Sequence, residues 1–282
     1  MSAEKANHSY RSESSALSST QNSWVGALKD LHTGLKLWRI WLALAQQAIK
    51  LQYRRSWLGF GWVFITFSLF ASAKIFVFSF MSSQNLNYFT LHLLLGYLIF
   101  RLLSSFFNQG AHVFVKAERW IKSEPLPLSV YIYQLLTNSF VIFAICSIPC
   151  LIAYMLLAEV SLNALLSFPA SLIIYALNGV WVSILAGMLC ARFRDLQHLL
   201  GSIIQVSYFL TPVLWVPPET GLRSILAFIN PFTHFIEILR EPLIKGTYPF
   251  ESWVIVGVIT LFGFAITFII FSMKRKQLIF WI

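Results

Sequence analysis

Charge is scarce in this sequence. Only 11% of its 282 residues are Asp, Glu, Lys or Arg, and 57% are hydrophobic, whereas roughly a quarter of a soluble domain is charged. A soluble fold of this size cannot bury so much apolar surface behind so few charges. The shortage excludes an ordinary cytosolic enzyme, a disordered chain and a disulfide-built secreted scaffold. Cysteine is also scarce: Cys146, Cys150 and Cys190 lie in apolar runs without metal-site spacing and read as small hydrophobes. No G-x-x-x-x-G-K-[ST] phosphate loop occurs, so the chain does not itself hydrolyse a nucleotide. What these absences leave is an integral membrane protein.

Six stretches are long and apolar enough to be spans of about 20 residues. They run roughly over 58–81, 89–110, 128–157, 162–190, 196–216 and 252–273. None contains Asp or Glu. Ion-coupled carriers place carboxylates in the bilayer to bind and release the coupling ion, and glycosyl chemistry needs acids near the reacting bond. Neither class fits, so if the chain transports against a gradient the energy must come from a partner.

Aromatics and cations are what the sequence does have: 26 Phe, 10 Trp, 10 Tyr and a net charge of +10. No basic recognition helix or stacking module accompanies the charge, so nucleic acid is not the expected partner. Lys and Arg instead mark the cytoplasmic side of a membrane protein. The ends and alternate loops hold 16 of them, against three in the remaining connections: Arg223, Arg240 and Lys245. Both termini are therefore expected in the cytoplasm. Residues 1–23 are polar and Ser-rich, without the apolar core of a signal peptide. Residues 1–32 read as a disordered cytoplasmic tail.

Leu35, Trp38, Leu42, Ala45 and Ile49 recur at helical spacing, with Lys36, Arg39 and Lys50 on another face. Residues 33–57 are expected to hold an amphipathic helix in the membrane interface, leading into a six-span permease domain over 58–282. Between the fifth and sixth spans, Asn230-Pro231 breaks two short apolar helical runs. They predict a hairpin that caps the outer mouth of a pathway. Non-helical backbone at membrane depth survives only beside protein or water.

Two cations fall inside spans. Lys74 lies near the end of the first, where it can snorkel, and Arg101 near the middle of the second. Arg101 either lines a wet path and meets anionic substrate groups, or packs on neighbouring carbonyls. Trp62, Tyr97, Phe100 and Trp181 either line a conduit, where rings grip the C–H faces of sugars, or pack the core.

Several motifs occur in a telling order. They are Tyr53-Arg54-Arg55-Ser56-Trp57-Leu58-Gly59 with Trp62, Ile121-Lys122 followed by Pro127, Phe193-Arg194-Asp195-Leu196, Phe209-Leu210-Thr211-Pro212 with Trp215, and Asn230-Pro231-Phe232. Together they resemble the permease subunits of ABC-2-type exporters of lipid-linked bacterial polysaccharides, including those of O-antigen, capsule and teichoic acid. The resemblance covers about residues 35–282. It implies an all-α membrane protein with six transmembrane helices, an N-terminal interface helix and a re-entrant periplasmic hairpin. It implies two copies forming a channel in the inner membrane, docked on two copies of an ABC ATPase subunit that binds ATP and Mg. The chain itself would carry no cofactor, metal or catalytic residue. The cargo would be a lipid-linked polysaccharide, with membrane lipids and periplasmic export proteins as further partners. By the same resemblance, Arg54, Arg55, Lys116, Glu118, Arg119, Lys122, Arg192, Arg194 and Asp195 would contact the ATPase, and Asn230, Pro231 and Phe232 would form the periplasmic gate. A permease for teichoic acid, another lipid or a small molecule is the alternative, and a membrane enzyme of glycan synthesis a more distant one.

Overall fold

A computed structural model describes residues 24–282 apart from Tyr53, Arg55, Ser82, Ser83, Pro125, residues 159–161 and Glu219. All regular structure among these residues is helical. The order is α1 (24–36), α2 (Trp38–Gln52), α3 (Gly61–Ser79), α4 (Leu86–Gly110), α5 (Val113–Lys116), α6 (Glu118–Ser123), α7 (Ser129–Leu157), α8 (Leu162–Arg192), α9 (Leu196–Leu210), α10 (Leu222–Ile229), α11 (Pro231–Ile244) and α12 (Phe250–Lys274). A 3-10 turn, Arg275–Phe280, continues α12.

The helices α3, α4, α7, α8 and α12 are long and apolar enough to cross a membrane. They fall within a few residues of five of the expected spans. The remaining expected span, 196–216, is different. α9 has 15 residues, about 22 Å at 1.5 Å per residue, against a hydrocarbon core of about 30 Å. It stops at Pro212, not at Pro217-Pro218. Proline forces the preceding residue out of the helical region, and Thr211 is extended, with φ −81° and ψ 139°. Residues 211–215 then run as irregular backbone.

α4 is the hub. It packs against α3, α7, α8, α9 and α11. By contrast, α3 buries only Val63, Phe67 and Ala71. The packing of α8 on α4, α5 and α7 depends on small residues at 179, 183 and 187, each one turn from the next. A Cβ on Gly179 would meet Leu136 and Phe106, and one on Gly187 would meet Phe114 and Val113. Between them Ser183 Oγ donates to the Phe106 carbonyl at 3.2 Å. Close approach at small residues is how helices associate where apolar burial gives no preference between lipid and protein.

The N-terminal stretch corrects the expectation of a tail reaching to residue 32. Residues 24–36 are helical, and this helix, α1, is tied to the start of α7. The Asp30 carboxylate accepts from the backbone N–H groups of Leu128 (3.2 Å) and Ser129 (3.1 Å), and Ser129 Oγ donates to the Asp30 carbonyl (2.8 Å). Tyr133 OH donates to the Leu31 carbonyl (3.1 Å). Asp30 thus satisfies orphan donors at the α7 N-terminus, where negative charge is also favoured by the helix dipole. At the other end of the chain, Arg275 donates to the Gly26 carbonyl and lies 4.0 Å from the Asp30 carboxylate. Residues 1–23, the rest of the expected tail, lie outside the described residues. The expected amphipathic helix is broken at Leu37 and continues as α2, which packs on α7 with Ala45 buried.

Candidate functional site

The face of α4 at positions 97, 100, 101, 104 and 108 meets the face of α9 at 201, 204, 205 and 208, with Lys74 reaching in from α3. These spacings of three and four place each set on one side of its helix. Together they form an open groove of about 310 Å³. Lys74 Nζ sits 3.4 Å from the Tyr97 ring centroid and 4.7 Å from that of Tyr208, cation–π distances worth more as water is excluded. The Tyr208 ring also lies 5.0 Å from Phe100, and Tyr97 stacks on Phe67 at 5.0 Å. Arg101 lines the same groove, and no carboxylate among the described residues pairs with it or with Lys74. The groove therefore offers two cations, several ring faces, and the polar groups of Ser104, Asn108 and Gln205. Such a surface can hold an anionic group beside sugar-like C–H faces and hydroxyls.

Tyr97, Phe100 and Arg101, predicted to line the path, meet here. Trp62 and Trp181 do not. Trp62 lies on the exposed face of the first turn of α3. Trp181 packs between α8 and α12: its Nε1 donates to Asn178 Oδ1 at 2.8 Å and its ring covers Gly263. Sequence reading missed Tyr208 and the polar face of α9. The signal was present as small and polar residues at 201, 205 and 208 in an otherwise apolar run.

A second element closes against this groove. α10 and α11 meet at Asn230 with a bend of 88°. Asn230 Oδ1 accepts from Phe232 N–H (3.0 Å), capping α11, and its Nδ2 donates to Thr211 Oγ1 (2.9 Å). Pro231 at the first helical position needs no N–H partner. The Phe232 ring lies 5.3 Å from Phe100 and 6.0 Å from Phe107. Tyr175 OH donates to the Phe235 carbonyl at 2.7 Å. Tyr175 is roughly 20 Å along α8 from Leu162, so the Asn-Pro tip reaches deep into the bundle. Of the predicted gate residues, Phe232 touches the groove wall at Phe100, and Asn230 ties the bend to Thr211.

The irregular 211–215 segment is held from within. Thr211 and Val213 are fully buried. Arg240 donates from a guanidinium N–H to the Pro212 carbonyl at 2.7 Å. His92 Nε2 lies 3.1 Å from the carbonyl oxygens of both Pro212 and Trp215. The Arg240 guanidinium also lies 3.2 Å from this Nε2, so the carbonyls call for a proton on it and the guanidinium for a lone pair. Arg240, read from sequence as an outer-loop charge, is 4% exposed. Hydropathy counts its charge but cannot see its acceptors.

Compared with known protein families, residues 39–244 match the ABC-2 type transporter family. The chain belongs to that family. Among similar proteins, an O-antigen export system permease protein RfbA of Myxococcus xanthus is 23% identical over 248 residues, covering 84% of this chain and 92% of that protein. An O-antigen export system permease protein RfbA of Klebsiella pneumoniae is 24% identical over 243 residues, covering 85% and 92%.

In this ABC-2 chain the residues expected to meet an ATPase gather at the far end of the bundle. Glu118 and Lys122 form an exposed ion pair at 2.8 Å, and Lys122 also donates to a carbonyl oxygen of Ile282 at 2.9 Å. The hydrogen bond and charge of Lys122, reinforced by Arg194 and Arg119, hold the Glu118 carboxyl below its ordinary range. Arg192 lies 5.3 Å from the rings of Phe193 and Trp281. Lys116, Arg119, Arg192, Arg194 and Asp195 are exposed. Arg54 is exposed in the turn after α2, while Arg55 lies outside the described residues. Residues 116–122 and 192–195 form a basic surface with Trp120 and Phe193 half-exposed among the charges.

Proposed function

We propose that this ABC-2 chain is the channel-forming membrane subunit of an ATP-driven exporter of a lipid-linked polysaccharide, O-antigen or capsule. It works as a pair, with two copies of a separate ATPase subunit that bind ATP and Mg. The observation that carries this reading is the groove of Lys74, Arg101, Tyr97, Phe100 and Tyr208, which combines ring faces with cations that have no carboxylate partner among the described residues. Cations suit the phosphates or acidic sugars of a lipid-linked glycan, and rings let the glycan slide without deep binding. The permease names of the similar proteins favour the same cargo.

The remaining parts have roles in this scheme. The excess of Lys and Arg at the basic end argues for a cytoplasmic location of both termini. α2 exposes Trp38 and Leu51, and α1 exposes Leu35, as helices lying in the membrane interface would. The exposed rim at 116–122 and 192–195 supplies the ATPase docking surface. α10–α11 and the Asn230-Pro231 tip form the periplasmic gate. ATP-driven closure of the partner shifts the pair between states, and each ATPase state must bind one channel state better than the other.

Deleting this chain in its host should leave the glycan in the cytoplasm, and purifying it should bring down an ATPase subunit. Arg101→Leu should lower export while the complex still assembles. Normal export by that variant would remove Arg101 from the path. Retention of a teichoic acid or a small lipid instead would reassign the cargo. A block in glycan synthesis with no retained product would make the chain a biosynthetic protein.

A further inference from the structure

A separate cavity of about 310 Å³ lies beneath α2, between it, the end of α4, α5–α6 and the first turns of α7. Its volume is at the lower bound of small-ligand sites, roughly 300–1,000 Å³. Its polar lining is Gln52 from α2, Gln109 from α4, Lys116 from α5, and Tyr131, Gln134 and Asn138 from α7. No Asp or Glu lines it among the described residues. Ala48 and Leu135 form an apolar wall, and Trp120 stands at the edge.

Two of the lining groups lack partners. Tyr131 is 3% exposed and its hydroxyl makes no hydrogen bond, and neither does the buried Asn138 Oδ1. Buried polar atoms are ordinarily satisfied, and each exception calls for a ligand, water or functional reason. Their neighbours in the same fold are satisfied: Ser105 Oγ donates to Ser139 Oγ at 3.0 Å one turn further along. Other buried side-chain atoms among the described residues also lack partners, but Tyr131 and Asn138 are the two that line this cavity.

The donor set defines the chemistry. Four amide side chains and a phenol both give and accept hydrogen bonds, which matches vicinal hydroxyls. A single ammonium matches one phosphate charge, and the absence of acid disfavours cations. The apolar wall beside a helix with exposed Trp38 and Leu51 matches a group delivered from a membrane surface. We propose that this cavity binds a polyol phosphate headgroup, such as the glycerophosphoglycerol end of phosphatidylglycerol. The site is distinct from the groove around Arg101 and does not depend on the cargo assigned to that groove.

The test uses the purified full chain in detergent, without ATPase or glycan. Its thermal unfolding is followed during titration with short-chain phosphatidylglycerol, phosphatidylserine, phosphatidylcholine and free glycerol 1-phosphate. Phosphatidylglycerol should raise the unfolding midpoint by a few degrees, as ligand binding to the folded state does. Phosphatidylserine, equal in charge but without the diol, should shift it less, and phosphatidylcholine not at all. Gln134→Leu with Asn138→Leu should weaken phosphatidylglycerol binding roughly tenfold, the scale of one or two lost hydrogen bonds. Should that pair fail to fold, the rim variants Gln52→Ala and Lys116→Met carry the same reading. Gln52→Ala should lower the preference for phosphatidylglycerol over phosphatidylserine, and Lys116→Met should weaken both. Equal shifts from phosphatidylserine or phosphatidylcholine, or binding unchanged in every variant, overturn the proposal. A shift by glycerol 1-phosphate equal to that of the lipid keeps the site and assigns it a soluble polyol phosphate.

Discussion

The two sides of α4 are built on opposite terms. On one side, α7, α8 and α11 press closely against it, with glycines at contact points and buried side chains bonded to backbone: Tyr175 to Phe235, Ser183 to Phe106, Arg240 to Pro212. On the other side stand α3 and α9, thinly packed, with Ile204 the sole fully buried side chain of α9. Between them and α4 lies an open groove whose cations have no acid among the described residues to hold them. The first side spends several of its polar groups on internal bonds. The second leaves its polar groups available to something that passes.

Substitutions can break this contrast, and on folding stability they should rank as follows. Arg240→Met should have the largest effect. It strips the Pro212 carbonyl of its best donor, a loss of about 1–3 kcal/mol, visible as a lower unfolding midpoint and poor recovery of folded protein. A variant as stable as the parent would mean that the 211–215 segment is held elsewhere. Asp30→Ala should come next, at about 0.5–2 kcal/mol for a lost cap, read by thermal unfolding or by faster amide exchange at the start of α7. Arg101→Leu should change stability by no more than about 0.5 kcal/mol, as substitutions outside packed or bonded sites do, yet lower glycan export. A large stability loss there would move Arg101 from the second side to the first.

The smallest effect belongs to His112, between α4 and α5. Burial, with the positive charges of Lys116 and His198, holds its pKa below the ordinary value. The unfolded chain then takes up a proton that the folded chain refuses. Stability should fall as pH drops from about 6.5 towards the lower folded pKa. His112→Gln should flatten that part of a stability-against-pH profile without changing it above neutrality.

Hydropathy made α4, α7, α8 and α12 legible because each is a continuous apolar run, and proline inside α7 and α8 did not end them. It failed at three places for physical reasons. Pro212 ends α9 early because the segment after it has buried donors to satisfy it, which no local pattern announces. The helix at residues 24–36 looked like tail because the partners of Asp30 lie nearly a hundred positions away. Arg240 looked like a loop charge because its acceptors come from another helix end. In the groove, Arg101 stood out as a charge in an apolar run, and Tyr97 and Phe100 follow from its helical face. Trp181 shares their residue type but not their face, and residue type alone cannot separate a ring on a path from a ring on a glycine.

The tie between α1 and the last helix also sets a schedule for synthesis. Gly26 and Arg275 are 249 positions apart. At about 5–20 residues per second, a ribosome needs on the order of 10–50 s to deliver the second after the first. Until then the helix that caps α7 is held at one end only. Its final seating therefore reports that every later helix has been made and inserted. A chain truncated before Arg275 would leave that latch open, a difference that a protease acting from the Gly26 side could read.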